Sequence, residues 1–511
     1  MSIHFRAFWT GSGAAFGWLA LAGLFFSFAN GHWIIALFAW LAPLAMLRFT
    51  RSSSKPVPAF VLCWLVLFVA RAVNWFGLLP LPVPVFLLSI GVGTIILTIP
   101  YWVDRMASRR IRRFSSTLIF PLSCVAVTYL YYLAEQTTWG SIAYSQTDNL
   151  ALLQLASVTG IWGMVFLVSW FASVANWCLE RRWQWSQIGK GLAIYTAILM
   201  AVIVFGEARL LLPATSGKTV RVAAIIPADI IPLFSHEDWA SWQQIATRHK
   251  ITLQERSRLQ NLVQPTYDDL FARTRREAQA GARIVFWPEG SLVAFSDVQQ
   301  QELIQRSREL ARSENIYLGV SLALAPEDTS RKMENKIILV APDGEIVQQY
   351  FKTHLVPVVE EPFTVPGSGM ATAVVSPYGK LGIVICYDMD DPRLLRSAGK
   401  AHVDLLFAPS GDWQQIANIH GRMAITRAVE EGFSLVRPAN HGFTLAADSR
   451  GRILGWMDFF STDDRVMIVN LPTSCVHTVY ARIGDLFAWL CIVALAAVLA
   501  SAFLTGSTKK G

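Results

Sequence analysis

Charge is what this sequence has least of. Asp, Glu, Lys and Arg make up 16% of its 511 residues, against roughly 25% in an average soluble domain. With 53% hydrophobic residues, 19 Trp and 30 Phe, the chain has too little polar surface to keep every part of itself in water, which points to a membrane. Cysteine is sparse too. The six (Cys63, Cys124, Cys178, Cys386, Cys475 and Cys491) show neither metal-ligand spacing nor a paired framework. Four of them lie in apolar runs, where a small buried side chain is the plain reading. His354 and His420 belong to no ligand cluster, and no phosphate-binding glycine loop is present, so neither a metal nor a nucleotide cofactor is expected. The net charge of +8 is carried by short basic clusters between apolar runs, which is a membrane-topology pattern and not one for nucleic acid.

The apolar runs fall near 13–30, 32–48, 57–77, 83–103, 116–134, 162–179, 191–211 and 484–505. Each approaches the about 20 residues needed to cross about 30 Å of hydrocarbon. The first is followed at once by more spans and has no small-residue cleavage site, so it reads as a span and not as a signal peptide. Basic residues crowd alternate connections: Arg48, Arg51 and Lys55; Arg105, Arg109, Arg110, Arg112 and Arg113; Arg181, Arg182 and Lys190; and the tail residues Lys509 and Lys510. The intervening connections carry almost none. Positive loops stay in the cytoplasm, so both termini are expected inside and the long segment after the seventh span outside. The expected organisation is an α-helical membrane bundle of eight spans, seven in 1–215 and the last in 484–511, around an exported α/β domain at 216–483.

That segment alternates strand-like runs with charged stretches of helical period. The strands are read at 220–226, 283–287, 316–322, 336–340, 381–386 and 403–408, and the helices at 267–280, 299–313 and 419–431. Alternation of this kind implies a layered α/β domain. Pro342-Asp343-Gly344 marks a turn between the strand at 336–340 and one near 345–351.

Three strings in it carry chemistry: Trp287-Pro288-Glu289-Gly290, Tyr350-Phe351-Lys352-Thr353-His354-Leu355-Val356-Pro357 with Glu360, and Gly382-Ile383-Val384-Ile385-Cys386-Tyr387-Asp388. Two of them place a reactive group at the end of a strand, where α/β sheets open their sites. A thiol attacks as thiolate and needs a base or a positive field, its unperturbed pKa being about 8.5. Glu289 can take that proton and return it to a leaving group, and Lys352 can stabilise an oxyanion. Singly, a strand-end Cys is a small buried residue, a Glu after Pro a turn residue and a Lys a solvated charge. Together they suffice for acyl transfer from an ester or amide.

These strings resemble the carbon–nitrogen hydrolase (nitrilase) superfamily, which uses a Glu-Lys-Cys triad on an αββα sandwich. Glu289, Lys352 and Cys386 stand in its order as base, oxyanion-stabilising lysine and nucleophile. Pro409-Ser410, the stretch 427–432 and Arg437-Pro438-Ala439-Asn440 look like its later helix and strand. Within it, eight spans flanking an exported domain resemble the apolipoprotein N-acyltransferase family over essentially the whole chain. Glu360 falls on that family's second functional glutamate, with Tyr387 and Asp388 as supporting residues beside the nucleophile. The loop Trp139-Gly140-Ser141-Ile142-Ala143-Tyr144-Ser145-Gln146 looks like its outer loop, which soluble nitrilases lack; with Trp239 it nominates Trp139, Tyr144 and Gln146 as substrate-binding residues. The resemblance implies transfer of a fatty acyl chain from a phospholipid, through a Cys386 thioester, to the α-amino group of a diacylglyceryl-cysteine lipoprotein. It also implies a bacterial inner membrane, a periplasmic catalytic domain, no cofactor and a monomer.

Several positions depart from the pattern. Ile225-Ile226-Pro227-Ala228-Asp229 stands where a Gln-Gly-Asn type string is expected, and residue 388 is Asp in place of Glu. Ser410-Gly411-Asp412-Trp413-Gln414-Gln415 lacks an aromatic lid string, and Asn440-His441-Gly442 brings a His into an Asn-X-Gly context. These leave open a membrane-tethered amidase-like hydrolase, with water as acceptor. Phe234, Trp239 and Trp242 fit either a lipid-touching flap or irregular core. Trp456, Phe459 and Phe460 fit either the bilayer interface or domain core. A Cys386–Cys475 disulfide is not expected.

Overall fold

The computed structural model describes residues 12–108, 110–111, 113–211, 218–227, 253–328, 330–369 and 373–507. They divide into two compact units, Met1–Leu212 with Ile483–Gly511, and Pro213–Arg482.

The first unit is helical. Its long helices are α1 (Ser12–Phe26), α2 (Ala36–Ser52), α3 (Pro56–Trp75), α4 (Val83–Ser108), α5 (Ile119–Glu135), α6 (Ile161–Glu180), α7 (Trp185–Leu211) and the C-terminal helix Leu486–Ser507. Each coincides with one of the apolar runs of the sequence. Those at Pro56–Trp75, Val83–Ser108, Phe114–Glu135, Ile161–Glu180 and Trp185–Leu211 are long and apolar enough to cross a bilayer. α3 shows why the solvent must be lipid: Ala59, Cys63, Leu67 and Ala70 are buried, whereas Val57, Val61, Leu65, Val69 and Val73 form an exposed stripe four residues apart. In water such a stripe would need a partner; in hydrocarbon it needs none. Pro43 and Pro100 sit inside α2 and α4, as membrane helices tolerate.

Polar bonds tie the helix ends into two sets. At one end the Asn30 side chain donates to the Ser141 carbonyl (3.0 Å) and Asn74 Nδ2 to the Asn30 carbonyl (3.1 Å). At the other, Arg51 grips Asp104 at 2.7 and 2.8 Å and reaches Glu180 at 3.2 Å. The first, third and fifth connections therefore meet in one place and the ends of α2, α4 and α6 in another.

The second unit is built from sheets. Its strands are β1 (Thr219–Ile225), β2 (Ile284–Phe286), β3 (Leu292–Ala294), β4 (Tyr317–Leu324), β5 (Glu334–Val340), β6 (Ile346–Phe351), β7 (Val374–Ser376), β8 (Gly379–Ile383), β9 (Leu405–Phe407), β10 (Ser410–Gly411), β11 (Ser434–Arg437), β12 (Ala439–Asn440), β13 (Phe443–Ala447), β14 (Ile453–Asp458) and β15 (Val466–Pro472). One sheet runs β15-β1-β2-β4-β5-β6 with β3 beside β4, the other β14-β13-β11-β9-β8-β7, and β10 pairs with β12. Helices α8 (Leu253–Gln279) and α9 (Asp297–Glu314) cover the first sheet; α10 (Pro392–Lys400) and α11 (Ala417–Glu431) lie on the side of the second. Strands such as β4 are buried along their whole length, which is why they read as continuous apolar runs and not as alternating ones. The expected strands and helices all appear, with α8 extending well before residue 267. The turn at Pro342-Asp343-Gly344 joins β5 to β6, with Gly344 at φ +83°.

The inner faces of the two sheets meet at Phe286 of β2 and Phe407 of β9, stacked with centroids 4.0 Å apart and planes 3° from parallel. Both rings are fully buried, and Gly319 of β4 leaves the space the Phe286 ring fills, since a Cβ there would lie 2.1 Å from it. Phe407→Ala should cost about 3–5 kcal/mol. Thermal unfolding of the purified protein checks this, and an unchanged melting curve would contradict the stacked interface.

Candidate active site

Glu289 follows β2 and is held in place by its neighbours. Trp287 is fully buried, donating its indole N–H to Thr274 Oγ1 (3.0 Å). Tyr267 accepts from the Val293 N–H (2.8 Å) and donates to its carbonyl (2.6 Å), pinning β3 just beyond. Between them Gly290 takes φ +65°, a conformation glycine adopts at little cost. Lys352 leaves the end of β6, its backbone N–H bonded to the Asn335 carbonyl of β5 at 2.9 Å.

Cys386 follows the extended Ile385 and opens a single 3-10 turn, Cys386–Asp390. Its φ is +47°, a left-handed conformation that costs a non-glycine residue about 1–2 kcal/mol and that is met at functional sites. Its N–H is fixed on the Pro409 carbonyl at 2.9 Å. Asp388, fully buried, locks the turn to the lysine segment. Its Oδ1 accepts from the N–H of Thr353 (3.1 Å) and His354 (2.7 Å), and its Oδ2 from the Ile385 N–H and the Tyr350 hydroxyl (both 2.9 Å). Tyr387, half-buried, stands next to the nucleophile on the same turn.

The three triad residues converge. Lys352 Nζ lies 2.8 Å from Glu289 Oε1 and 2.7 Å from Glu360 Oε2, and the Cys386 thiol donates to the carbonyl of Gly411 (3.6 Å), whose N–H donates to Glu289 Oε2 (2.8 Å). Burial and the Glu289 charge push the Cys386 thiol well above its ordinary value, against the pull of Lys352. Burial would raise Glu289, but Lys352 and the donors around it outweigh that and hold the carboxyl below its usual range. Burial disfavours the Lys352 ammonium, yet the Glu289 and Glu360 charges raise it well above the ordinary lysine value. The resting site is thus a thiol beside a carboxylate and a fixed ammonium. Chemically, a carboxylate so placed can accept a thiol proton, and an ammonium so placed can face a developing oxyanion.

Sequence reasoning missed part of this site. Asn335 Nδ2 donates to Glu289 Oε1 (2.7 Å), and the Gly411 N–H to Glu289 Oε2 (2.8 Å). Beside Cys386 stand Asp412, His420 and Arg437, all fully buried. Cys386, Asp412 and His420 offer ligand atoms within 4.8 Å of one another. Arg437 Nη2 already lies 2.6 Å from Asp412 Oδ1 and 2.7 Å from His420 Nδ1, so this donor set holds a guanidinium where a cation would sit.

The other nominated residues lie in the helical unit or outside the described residues. Tyr144 is fully buried, its hydroxyl 2.5 Å from Thr138 Oγ1. Gln146 donates to the Ala36 carbonyl (3.0 Å) and accepts from Trp40 Nε1 (2.9 Å). Trp139 is half-buried, its ring edge on Trp75. Trp239, with Phe234 and Trp242, lies outside the described residues. Trp456 and Phe460 are exposed while Phe459 is buried. All six cysteines are free thiols.

Residues 223–479 match the carbon–nitrogen hydrolase family, and residues 15–174 match the apolipoprotein N-acyltransferase N-terminal domain. The chain belongs to the apolipoprotein N-acyltransferase family of carbon–nitrogen hydrolases. An apolipoprotein N-acyltransferase of Geobacter metallireducens is 28% identical over 476 residues, covering 87% of this chain and 84% of that relative. One of Bradyrhizobium diazoefficiens is 27% identical, covering 71% and 68%. Among solved structures, an amidase from Nesterenkonia sp. is similar at 19% identity and TM-score 0.40, over 54% of this chain and 96% of that one.

The His420 environment sets a pH limit on stability. Burial and Arg437 oppose its protonation, but Asp412 and Asp390 outweigh them and raise it to about 9 from 6.5. The folded state thus holds this proton more tightly than the unfolded chain. Its contribution is complete below about 6.5 and is lost as pH rises through about 9, a loss of about 3 kcal/mol. Asp412, with burial outweighed by Arg437 and His420, is held at about 2, so its contribution is lost only toward that pH. Unfolding of His420→Gln between pH 6 and 9 should be flatter than wild type by that amount; parallel curves would contradict it.

Proposed function

We propose that this protein moves a fatty acyl chain from a membrane phospholipid to the N-terminal amine of a diacylglyceryl-cysteine lipoprotein. In this reading the Cys386 sulfur attacks the phospholipid ester carbonyl while Glu289 takes the thiol proton. The oxyanion forms against Lys352. Collapse expels the lysophospholipid alkoxide, which receives the proton from Glu289 and leaves an acyl thioester on Cys386. The acceptor amine then attacks the thioester carbonyl, gives its proton to Glu289 and releases the amide, and the proton returns to sulfur. The observation that carries this is one hydrogen-bonded cluster in which Lys352 pairs with Glu289 directly and Cys386 is linked to Glu289 through the Gly411 backbone. The family of the chain, which is that of N-acyltransferases, supports it.

The same reading has eight helices crossing a bacterial inner membrane, both termini in the cytoplasm and residues 216–483 on the periplasmic side. Donor and acceptor are both confined to the bilayer, so a membrane anchor keeps the site among its substrates. A single copy carries the whole triad. A hydrolase using water as acceptor is the second reading, favoured by Ile225-Ile226-Pro227-Ala228-Asp229 in place of a Gln-Gly-Asn type string.

Purified protein mixed with phospholipid labelled in its acyl chain and a diacylated lipopeptide should yield triacylated peptide. The label should appear on Cys386 when acceptor is withheld. Cys386→Ala should lose both, a fall of about 10⁴-fold or more. Free fatty acid or ammonia without triacylated product would favour the hydrolase, and activity retained by Cys386→Ala would end both readings.

A further inference from the structure

The acyl-transfer steps leave Asp412, His420 and Arg437 without a task, although all three are fully buried. Arg437 Nη2 donates to Asp412 Oδ1 and Oδ2 at 2.6 and 2.8 Å. His420 Nδ1 lies 2.8 Å from Asp412 Oδ1, and its Nε2 is 3.4 Å from Asp390 Oδ1. The backbone is fixed as firmly: the Ser410 N–H donates to the Pro438 carbonyl (2.8 Å) and the Asp412 N–H to the Asn440 carbonyl (2.9 Å). Gly442 abuts the carboxylate so closely that a Cβ there would lie 2.4 Å from Asp412 Oδ2. Burying so many ions costs several kcal/mol each before pairing offsets it, and an apolar cluster of equal volume is often as stable. What charge adds is direction.

The segment so held is the one that touches both reacting groups. The Gly411 N–H donates to Glu289 Oε2 at 2.8 Å, and the Gly411 carbonyl faces Cys386 Sγ at 3.6 Å. Lys352 and Asn335 hold only the other oxygen of Glu289, Oε1.

We infer that Asp412 is a positioning residue for this reaction: gripped by Arg437 and His420, it fixes the Gly411 backbone so that the N–H aims Glu289 and the carbonyl aims the Cys386 thiol. The inference rests on the reading of Cys386 as nucleophile. Asp412→Asn preserves the shape of the side chain and removes the charge that Arg437 and His420 grip.

Two measurements on the full-length protein test it. The first is the rate of thioester formation from labelled phospholipid. The second is alkylation of Cys386 by iodoacetamide, followed by mass spectrometry from pH 6 to 10. The charged groups near the sulfur are Glu289, Lys352, Asp412, Arg437 and His420, so loss of the Asp412 negative charge, with Arg437 and His420 left in place, should start alkylation at lower pH. Acylation should nevertheless fall about tenfold or more, with KM for phospholipid within about twofold of wild type. A more ionised thiol that reacts more slowly with substrate is the signature of lost aim. Arg437→Lys keeps the charge and loses the nitrogen that reaches the Phe443 carbonyl (3.2 Å); its acylation should fall with little change in alkylation, which answers the question if Asp412→Asn does not fold.

Wild-type acylation in both variants would overturn the inference. So would an Asp412→Asn protein whose acylation, alkylation and melting temperature all fall together, which marks general loosening. If the wild type forms no thioester from phospholipid, the proposed function fails. The alkylation comparison still decides the inference, and an unshifted profile in folded Asp412→Asn refutes it.

Discussion

The site is organised around one buried ammonium shared by two carboxylates. Lys352 reaches Glu289 and Glu360 at 2.8 and 2.7 Å, and its side chain is almost wholly out of water. Burying a single charge is prohibitive, and burying this one is tolerable only because its partners surround it. The same arrangement dictates the protonation states. An ammonium kept charged draws Glu289 below its usual range, and burial beside that carboxylate lifts the thiol. The carboxyl is therefore held ionised and the thiol held protonated. Burial also raises Glu360, against the pull of Lys352, so the two acids are not equivalent although both touch the same nitrogen.

Two solvents shape the chain. In the helical unit, exposed valines four residues apart along α3 suit hydrocarbon, and polar side chains such as Asn30, Asn74 and Arg51 join helix ends. In the sheet unit, apolar strands are buried between layers and the Phe286–Phe407 stack joins the sheets. Glu289 and Cys386 follow strands β2 and β8 of these two different sheets, so the stack that aligns the sheets also bears on the distance between that carboxyl and that thiol.

Much of this was legible in the sequence because its signals are local. The apolar runs coincide with the long helices of the first unit, and the strings around Glu289, Lys352 and Cys386 name three residues that the fold brings together, since each follows a strand strong enough to be read. Asn335 stands in none of the strings read for chemistry, and Gly411, Asp412, His420 and Arg437 carry no role beside Cys386 in the sequence reading. β10 and β12 hold two residues each, too few for any periodicity, and Asp412 meets Arg437 across 25 positions with nothing in the intervening residues to announce the contact. His420 was read as a possible metal ligand and set aside for want of neighbours. Its neighbours are spatial. The loop residues Tyr144 and Gln146 were nominated for substrate, and the structure shows the bonds they make within the helical unit.

The departure at residue 388 is best understood through its bonds. A carboxylate that served the substrate would point its oxygens at open space, and there one methylene would alter reach and specificity. Asp388 spends both oxygens on the backbone of Thr353, His354 and Ile385 and on the Tyr350 hydroxyl. Its task is to tie the segment after Lys352 to the turn that opens at Cys386, and for that task the side chain need only match the gap it spans. A longer acid could make the same bonds only if the 352–354 segment stood farther from the turn. The difference in residue type therefore bears on how two catalytic groups are spaced and says little about which acceptor is used.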